Sequence, residues 1–301
     1  MRYRKWNSAA ARRICQFAGV AHVEGAVIEV ARRLLHGVRK CPTDLDAIFS
    51  RVDIERCIID PQMLISGELR RTDQGFVIAC SPHEPVRRRR FTIAHEIGHA
   101  VLEKTAPYVP HHGRELESIC DRIATEILVP RDELQVTIRQ PITLREVARI
   151  AAIFEASLTT TALRCVELFD LIVGQYEAPD IDWLFTPMGV SQGAIRVQIA
   201  SLLKEHAFTQ RGEIECPIQI GRGNHQEMYL QWRSTGRHGR KLVLVTTHSD
   251  KPSLPDANWT PQDEESPVLN PRAQRRLAPS VRSAEHQAAK VNAEPTALAL
   301  P

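Results

Sequence analysis

One stretch of the chain decides its fold and its chemistry, and it reads Arg90-Phe91-Thr92-Ile93-Ala94-His95-Glu96-Ile97-Gly98-His99-Ala100. His95 and His99 are four residues apart, so on a helix both imidazoles leave the same face, within reach of one tetrahedral zinc ion. Glu96 then lies beside the metal, where it can take a proton from a water that the metal activates. The alternative is a surface helix with two solvated histidines. The spacing favours a zinc site with Glu96 as the catalytic base.

A catalytic zinc site needs a third protein ligand, and a second predicted helix, Glu115–Leu128, offers one. Glu117 and Asp121 are four residues apart and share a face of that helix. Glu117 can bind the metal while Asp121 accepts the second N–H of a ligand histidine and fixes its tautomer. Glu115 is a close competitor for the ligand role on spacing alone. For Glu117 the alternative is an acid favoured by the helix macrodipole.

The two motifs resemble those of the ImmA/IrrE-type metallo-endopeptidases, which look like R-F-T-x-A-H-E-x-G-H and E-x-x-A-N-x-F-A-x-x-L-L-M-P. The first is matched by Arg90, Phe91, Thr92, Ala94, His95, Glu96, Gly98 and His99, and the second by Glu117, Ala124, Leu128 and Pro130. The departures are Cys120, Asp121, Ile123, Ile127 and Val129, and none removes a ligand. The resemblance covers about residues 9–170. It implies that Glu117 rather than Glu115 is the third ligand, that zinc is the cofactor, and that Asp121 supports the site.

Composition and cysteine usage limit the class of protein. The chain has 301 residues, of which 43% are hydrophobic and 25% charged, so it is neither collagen-like, coiled-coil nor wholly disordered. A core of this size needs no metal to fold, so a bound metal is expected to be catalytic. The seven cysteines are scattered singly, as in a reduced cytoplasmic protein. No apolar stretch is long enough to span a membrane. The acid-free first 23 residues superficially resemble a transit peptide, but a surface helix is the simpler interpretation.

The rest of the chain predicts an α+β fold: a zincin-like, mainly helical core with a small antiparallel sheet, followed by a smaller α+β domain. Helices are expected at 8–38, interrupted near Gly19 and Gly25, then after Thr43 as a cap, and at 91–103, 115–128, 144–154, 158–170 and 194–206. Strands are expected at 54–59, 63–71, 76–80, 213–219, 227–233 and 241–247. The expected division is 1–135 metallopeptidase domain, 136–175 helix-turn-helix-like extension, 176–250 small α+β domain, and 251–301 disordered tail.

Several weaker features invite a functional interpretation beside a plainer one. The run Arg87–Arg90 could grip phosphate or an acidic substrate segment, although a solvated charged surface is the simpler interpretation. Tyr108, His111 and His112 could donate to the oxyanion of a tetrahedral intermediate, but each is first of all a loop residue. Cys120 is expected to pack as a small buried thiol rather than to act as an oxidation-sensitive group.

The helix pair 144–170 resembles a helix-turn-helix, but its second helix is poorly equipped to read DNA. Arg164 is its only base, and Glu155, Glu167 and Asp170 would repel phosphate. A structural or partner-binding role is therefore favoured, and direct DNA binding is not expected.

The sequence thus predicts a zinc-dependent endopeptidase in which His95, His99 and Glu117 hold zinc and Glu96 is the general base. The resemblance implies a specific regulatory protein as substrate, such as a helix-turn-helix repressor encoded nearby. The hairpin edge at 64–80 could pair with an extended substrate strand. The alternative function is a non-proteolytic regulator that binds DNA or protein through residues 144–250, or a toxin–antitoxin component, with a structural zinc site.

Overall fold

The two helices that carry the sequence motifs pack directly against each other in the computed structural model. They are α4 (Val86–Thr105) and α5 (Arg114–Leu128). Their apolar faces are buried around Ile97, Ile119 and Ile123, none of which is exposed. The structure describes residues 6–105, 113–169, 171–186, 192–205, 211–219, 225–234 and 240–247, all within one compact unit, Met1–Pro267.

Two N-terminal helices, α1 (Ala9–Ala18) and α2 (Val23–Leu34), cover α4 and α5. The Ser8 hydroxyl accepts from the Ala11 N–H and caps α1, and Gly19 ends that helix in the left-handed conformation with φ 72°. No single helix among the described residues is long and apolar enough to cross a membrane, and the pair α1–α2, which together reach that length, is bent by 53°.

A three-stranded sheet lies beside α4. Its strands are β1 (Ile54–Ile59), β2 (Gly67–Arg71) and β3 (Phe76–Cys80), in the order β1-β3-β2. β2 and β3 form the predicted antiparallel hairpin around residues 72–75, and β1 pairs with β3 in parallel. The prediction of an antiparallel sheet is therefore wrong for β1. The 60–66 connection carries the chain past β3, so β2 becomes an edge strand.

A group of short helices follows α5, namely α6 (Arg131–Thr137), α7 (Leu144–Ile153) and α8 (Leu158–Leu168). Side-chain hydroxyls cap the N-termini of α7 and α8: Thr143 accepts a hydrogen bond from the Glu146 N–H, and Ser157 accepts one from the Thr160 N–H. The α7–α8 pair agrees with the predicted helical hairpin, whereas α6 was not predicted from the sequence.

The last described part is a five-stranded antiparallel sheet in the order β5-β4-β8-β7-β6. Its strands are β4 (Ile172–Glu177), β5 (Asp180–Phe185), β6 (Arg211–Gln219), β7 (His225–Ser234) and β8 (Arg240–Thr247). Helix α9 (Gln192–Glu205) buries Ile195, Ile199 and Leu203 against one face. At the other face, the Gln231 side chain accepts a hydrogen bond from the Leu144 N–H at the start of α7.

These observations confirm the α+β class and correct several details. Gly25 lies inside α2 and does not interrupt it. The Thr43 hydroxyl does not cap a helix; it donates to the Lys40 and Ile127 carbonyls. At the start of the short helix α3 (Asp46–Phe49), the Asp44 carboxylate instead accepts a hydrogen bond from the Ala47 N–H. Strands β4 and β5 were not predicted, and the expected tail at 251–301 lies outside the described residues.

Candidate metal centre

Three side chains from α4 and α5 converge on one point. His95 Nε2 lies 3.1 Å from His99 Nε2 and 3.3 Å from a carboxylate oxygen of Glu117, and His99 Nε2 lies 3.7 Å from the other oxygen. A tetrahedral zinc ion with ligands at about 2.0–2.1 Å separates those ligand atoms by roughly 3.3 Å. Two imidazoles and a carboxylate at these separations fit a zinc ion, and this group could hold a metal.

Asp121 orients one of the two histidines. Its Oδ1 lies 2.9 Å from His95 Nδ1, and a carboxylate can only accept, so Nδ1 carries the proton. The unprotonated lone pair of the neutral ring is then at Nε2, the nitrogen that faces His99 and Glu117. This is the arrangement in which a carboxylate fixes the tautomer of a metal-binding histidine.

The charged forms of these side chains strongly affect one another's pKa values. Burial lowers the pKa of His95, but the hydrogen bonds with Asp121 and Glu117 outweigh it and raise that pKa to about 10. Burial raises the pKa of Glu117, yet its bonds with His95 and His99 prevail and hold it well below its usual range. The histidines and the acids therefore favour each other's charged forms, and a bound cation would stabilise the same carboxylates.

Glu96 lies next to this cluster and is buried. Burial raises the pKa of its carboxyl group, and the neighbouring histidines oppose that shift. The residue is one position from His95 on the helix, so it flanks the three donors rather than sharing their face. A carboxyl in such surroundings can accept a proton and later return it.

The approach of α4 to α5 depends on a glycine. A Cβ added to Gly98 would lie 3.0 Å from the Cα and 3.2 Å from the Cβ of Cys120. The two helix backbones are therefore nearly in contact at the level of the donors, which lets Glu117 on α5 reach histidines on α4. Cys120 is fully buried there, and burial keeps its pKa well above the usual value, in agreement with a packing role.

The competing glutamate on α5 points elsewhere. The carboxylate oxygens of Glu115 accept from the backbone N–H groups of Asn7 and Ser8, at the start of α1. Glu115 therefore binds backbone N–H groups at the N-terminus of α1. Of these two glutamates, only Glu117 contacts the histidines.

The weaker candidates are resolved unevenly. Arg88 is buried and pairs with Glu84, and Arg90 donates to the Thr43 carbonyl at 2.7 Å, so the expectation that the arginine run is simply solvated is wrong. Arg164 is buried in contact with Glu126 and does not face solvent. The oxyanion candidates Tyr108, His111 and His112 lie outside the described residues.

Sequence reasoning missed two close approaches that matter at this site. One is the contact of Gly98 with Cys120 described above. The other is Gly67 in β2, where an added Cβ would lie 2.2 Å from Thr92 Cγ2, one helical turn before Glu96. The edge strand therefore runs close to the helix that bears the donors. In the sequence, each close approach was marked only by the glycine itself, and a glycine alone does not reveal which residue it contacts.

An HExxH helix completed by a glutamate from a second helix is the donor set of a zinc metallopeptidase. Residues 55–166 match the family model Peptidase_M78, the IrrE N-terminal-like domain. The match confirms the resemblance to ImmA/IrrE-type metallo-endopeptidases over that segment, which contains all three donors. A comparison with curated proteins gave no match. A solved structure described as a Mycobacterium tuberculosis transcriptional regulator is 12% identical, with 79% of this chain and 80% of that chain covered and a TM-score of 0.49, too distant to support an argument.

Proposed function

We propose that this chain is a zinc-dependent endopeptidase with a zincin-like core, in which His95, His99 and Glu117 hold the metal. One observation carries the proposal: a buried glutamate, Glu96, flanks a three-donor group whose spacing suits zinc. A structural zinc site has no use for a base at that position. The organisation that goes with this proposal is a metallopeptidase domain at 1–135, a helical extension at 136–175 and a small α+β domain at 176–250.

A zinc ion held by these donors would supply Lewis acidity and lower the pKa of an attacking water. Glu96 is placed to accept a proton from an attacking water and would return it to the nitrogen of the leaving amine. Asp121 keeps His95 in the tautomer whose Nε2 faces the metal position.

The edge strand β2 is the proposed substrate-binding element. Ser81 N–H donates to Ser66 O, and Thr72 N–H donates to Gly75 O, so residues 66 and 72 point their backbone toward β3. By alternation, the N–H and C=O groups of Gly67, Leu69 and Arg71 point away from it. No other strand among the described residues pairs with this edge. An extended peptide can therefore add to the sheet alongside α4.

The substrate we propose is a specific regulatory protein in the cytoplasm, such as a helix-turn-helix repressor encoded nearby. Cleavage of a folded regulator requires one extended segment to reach β2. Leu64 and Ile65 immediately precede that strand, with relative exposures of 97% and 53%, and offer apolar contacts to such a segment.

The ligand assignment is tested by the zinc content of purified variants. The wild type should carry about one zinc per chain, whereas alanine at His95, His99 or Glu117 should empty the site. Glu115→Ala is a matched control, because it removes the same side chain from the same helix and should leave zinc in place. Full zinc in Glu117→Ala, or loss of zinc in Glu115→Ala, would contradict the assignment.

The enzymatic role is tested by Glu96→Gln, which keeps the size of the side chain and the three donors. Zinc should remain bound, and peptide hydrolysis should fall by at least the roughly 10²–10⁴ that a general base contributes. Co-expression with the neighbouring gene product should give fragments with the wild type and an intact, captured partner with the variant. A biological output that persists in Glu96→Gln at wild-type strength would favour a non-proteolytic regulator instead.

A further inference from the structure

Two thiols lie in contact on the small sheet. Cys57 in β1 and Cys80 in β3 are 23 residues apart in sequence, but their Sγ atoms are 3.8 Å apart. The parallel register places Cys57 opposite Ile78 and Cys80 opposite Ile59. The two cysteines are therefore two residues apart along the register and project from the same face of the sheet. Both are reduced in this structure.

The two thiols differ in access to solvent. Cys57 is half-buried, whereas Cys80 is fully buried. A more accessible thiol beside a protected partner is the arrangement typical of redox-sensitive sites, where the second cysteine resolves the oxidised form of the first.

A positive charge lies near this pair. Arg89, in the first turns of α4, donates to the carbonyls of Pro82 and Glu84, at 3.3 and 3.1 Å. Both partners are backbone carbonyls, so these bonds leave its charge uncancelled. Its Nε is buried without a hydrogen-bond partner among the described residues. A cation beside a thiol favours the thiolate, which is the reactive form.

The titration of the pair agrees with this geometry. The hydrogen bond from Cys80 lowers the pKa of Cys57, burial and Asp46 oppose it, and Arg89 contributes in the lowering direction. The same hydrogen bond and burial raise the pKa of Cys80. These shifts favour the thiolate at Cys57, which is also the more accessible of the two cysteines. By contrast, burial raises the pKa of Cys15 and of Cys41, both of which also reach solvent.

We propose that Cys57 and Cys80 form a reversible oxidation site for hydroperoxides, with Arg89 as a positioning residue that favours the Cys57 thiolate. The Cys57 thiolate attacks the peroxide O–O bond and becomes a sulfenic acid, and the departing hydroxide takes a proton to leave as water. Cys80 then attacks the Cys57 sulfur, an S–S bond forms, and a second water leaves. Two thiols and one hydrogen peroxide give one disulfide and two waters.

Closure of the bond requires a shift of the strands as well as of the side chains, because cysteines two residues apart along this register have Cα atoms roughly 8 Å apart and a disulfide needs about 7 Å or less. The sulfurs must approach by roughly 1.8 Å to reach the disulfide length of about 2.05 Å. No zinc donor takes part, so the metal content should not change on oxidation. Oxidation is measured from the joined peptides and peptidase activity from hydrolysis, so either can fail without the other, although the charge of Glu96 acts on Cys80 and raises its pKa.

Peptide mapping tests the proposal on the reduced full-length protein. Hydrogen peroxide is added, free thiols are blocked with N-ethylmaleimide at timed intervals, and the chain is digested with trypsin. The two cysteines fall on separate tryptic peptides, 57–70 and 72–87, each with one cysteine. We expect these peptides to appear joined, and to separate again on treatment with dithiothreitol.

Variants distinguish the roles of the two thiols and the arginine. Cys80→Ala should leave a sulfenic acid on Cys57 that reacts with dimedone, and Cys57→Ser should abolish the linkage while Cys15→Ser does not. Arg89→Gln should slow linkage several-fold, against no change in the control Arg87→Gln, whose peptide extends to residue 88. Melting curves establish that each variant is folded.

Three results would overturn the proposal. They are the absence of the joined peptide while Cys57 is alkylated no faster than Cys15, linkage of Cys57 to a different cysteine, and oxidation of Cys57 directly to sulfinic acid with Cys80 present. Linkage at the wild-type rate in Arg89→Gln would remove the arginine from the proposal.

Discussion

Replacing Arg164 with methionine should destabilise the protein severely, because this arginine lies in the interior. Its side chain is 2% exposed and donates to Glu126 at 2.5 Å, to Glu167 at 2.5 Å and to the Val129 carbonyl at 3.0 Å. Glu126 is itself buried, with 6% of its side chain exposed. The interaction joins α8 to α5, the helix that carries Glu117.

The magnitude follows from what the substitution leaves behind. Methionine fills much of the space, but among the described residues the Glu126 carboxylate then retains only Arg131, at 3.4 Å and partly exposed. Removing one partner of a buried pair costs about 3–5 kcal/mol in the free energy of unfolding. For a protein of this size, roughly 2–4 °C of melting temperature is lost per kcal/mol, so the melting temperature should fall by roughly 6–20 °C.

Chemical and thermal denaturation of the full-length protein measure this effect. Arg32→Met is the matched control, because the Arg32–Glu29 pair lies on the surface with 68% of the arginine side chain exposed, and such solvent-screened pairs contribute little to stability. The double variant Arg164→Met with Glu126→Gln should recover much of the loss, since no unpaired buried carboxylate then remains at position 126. A loss in Arg164→Met no larger than that in Arg32→Met would refute the reasoning.

Two further predictions concern the metal centre. Asp121→Ala should weaken zinc binding by about 10–100-fold, measured by competition with a chelator, because His95 loses the acceptor that fixes its tautomer; unchanged affinity would show that Asp121 does not support the site. Gly98→Ala should lower the melting temperature and the zinc affinity together, because the added methyl group would lie 3.0 Å from the Cα of Cys120. The control Gly193→Ala, whose methyl group would have nothing within 4 Å, should leave both unchanged or raise stability slightly. Equal effects of the two glycine substitutions would show that the helix contact is not limiting.

The motif-bearing helices could be predicted from the sequence because their signals are local. The i,i+4 spacing of His95 and His99 and the stop at Pro130 are features of a single helix, and neither depends on distant residues. The N-terminal end of α4 was predicted five residues late, at Phe91 instead of Val86. Four arginines in a first turn oppose the helix macrodipole, so the pattern resembles a loop until their tertiary partners are known.

What could not be predicted depends on contacts between distant parts of the chain. A parallel partner for β1 leaves no turn signal in the sequence, whereas the β2–β3 hairpin does. Strand β4 follows α8 almost immediately, and a short apolar run there cannot be distinguished from a helix end by periodicity. Arg164 is likewise buried because it pairs with Glu126, 38 residues earlier in the chain. Its sequence neighbours on α8 do not indicate this partner.

The open edge of β2 also affects how this protein behaves in concentrated solution. An unpaired strand edge can pair with the same strand of a second copy of the chain. Such edges promote aggregation unless their side chains disfavour that pairing. Three of the five β2 residues are charged, namely Glu68, Arg70 and Arg71, so a strand that joins the edge must accommodate both signs of charge. The sheet can thus remain available to a matching peptide while discouraging self-association, so the colloidal stability of the protein depends on the same few side chains that flank its proposed substrate-binding edge.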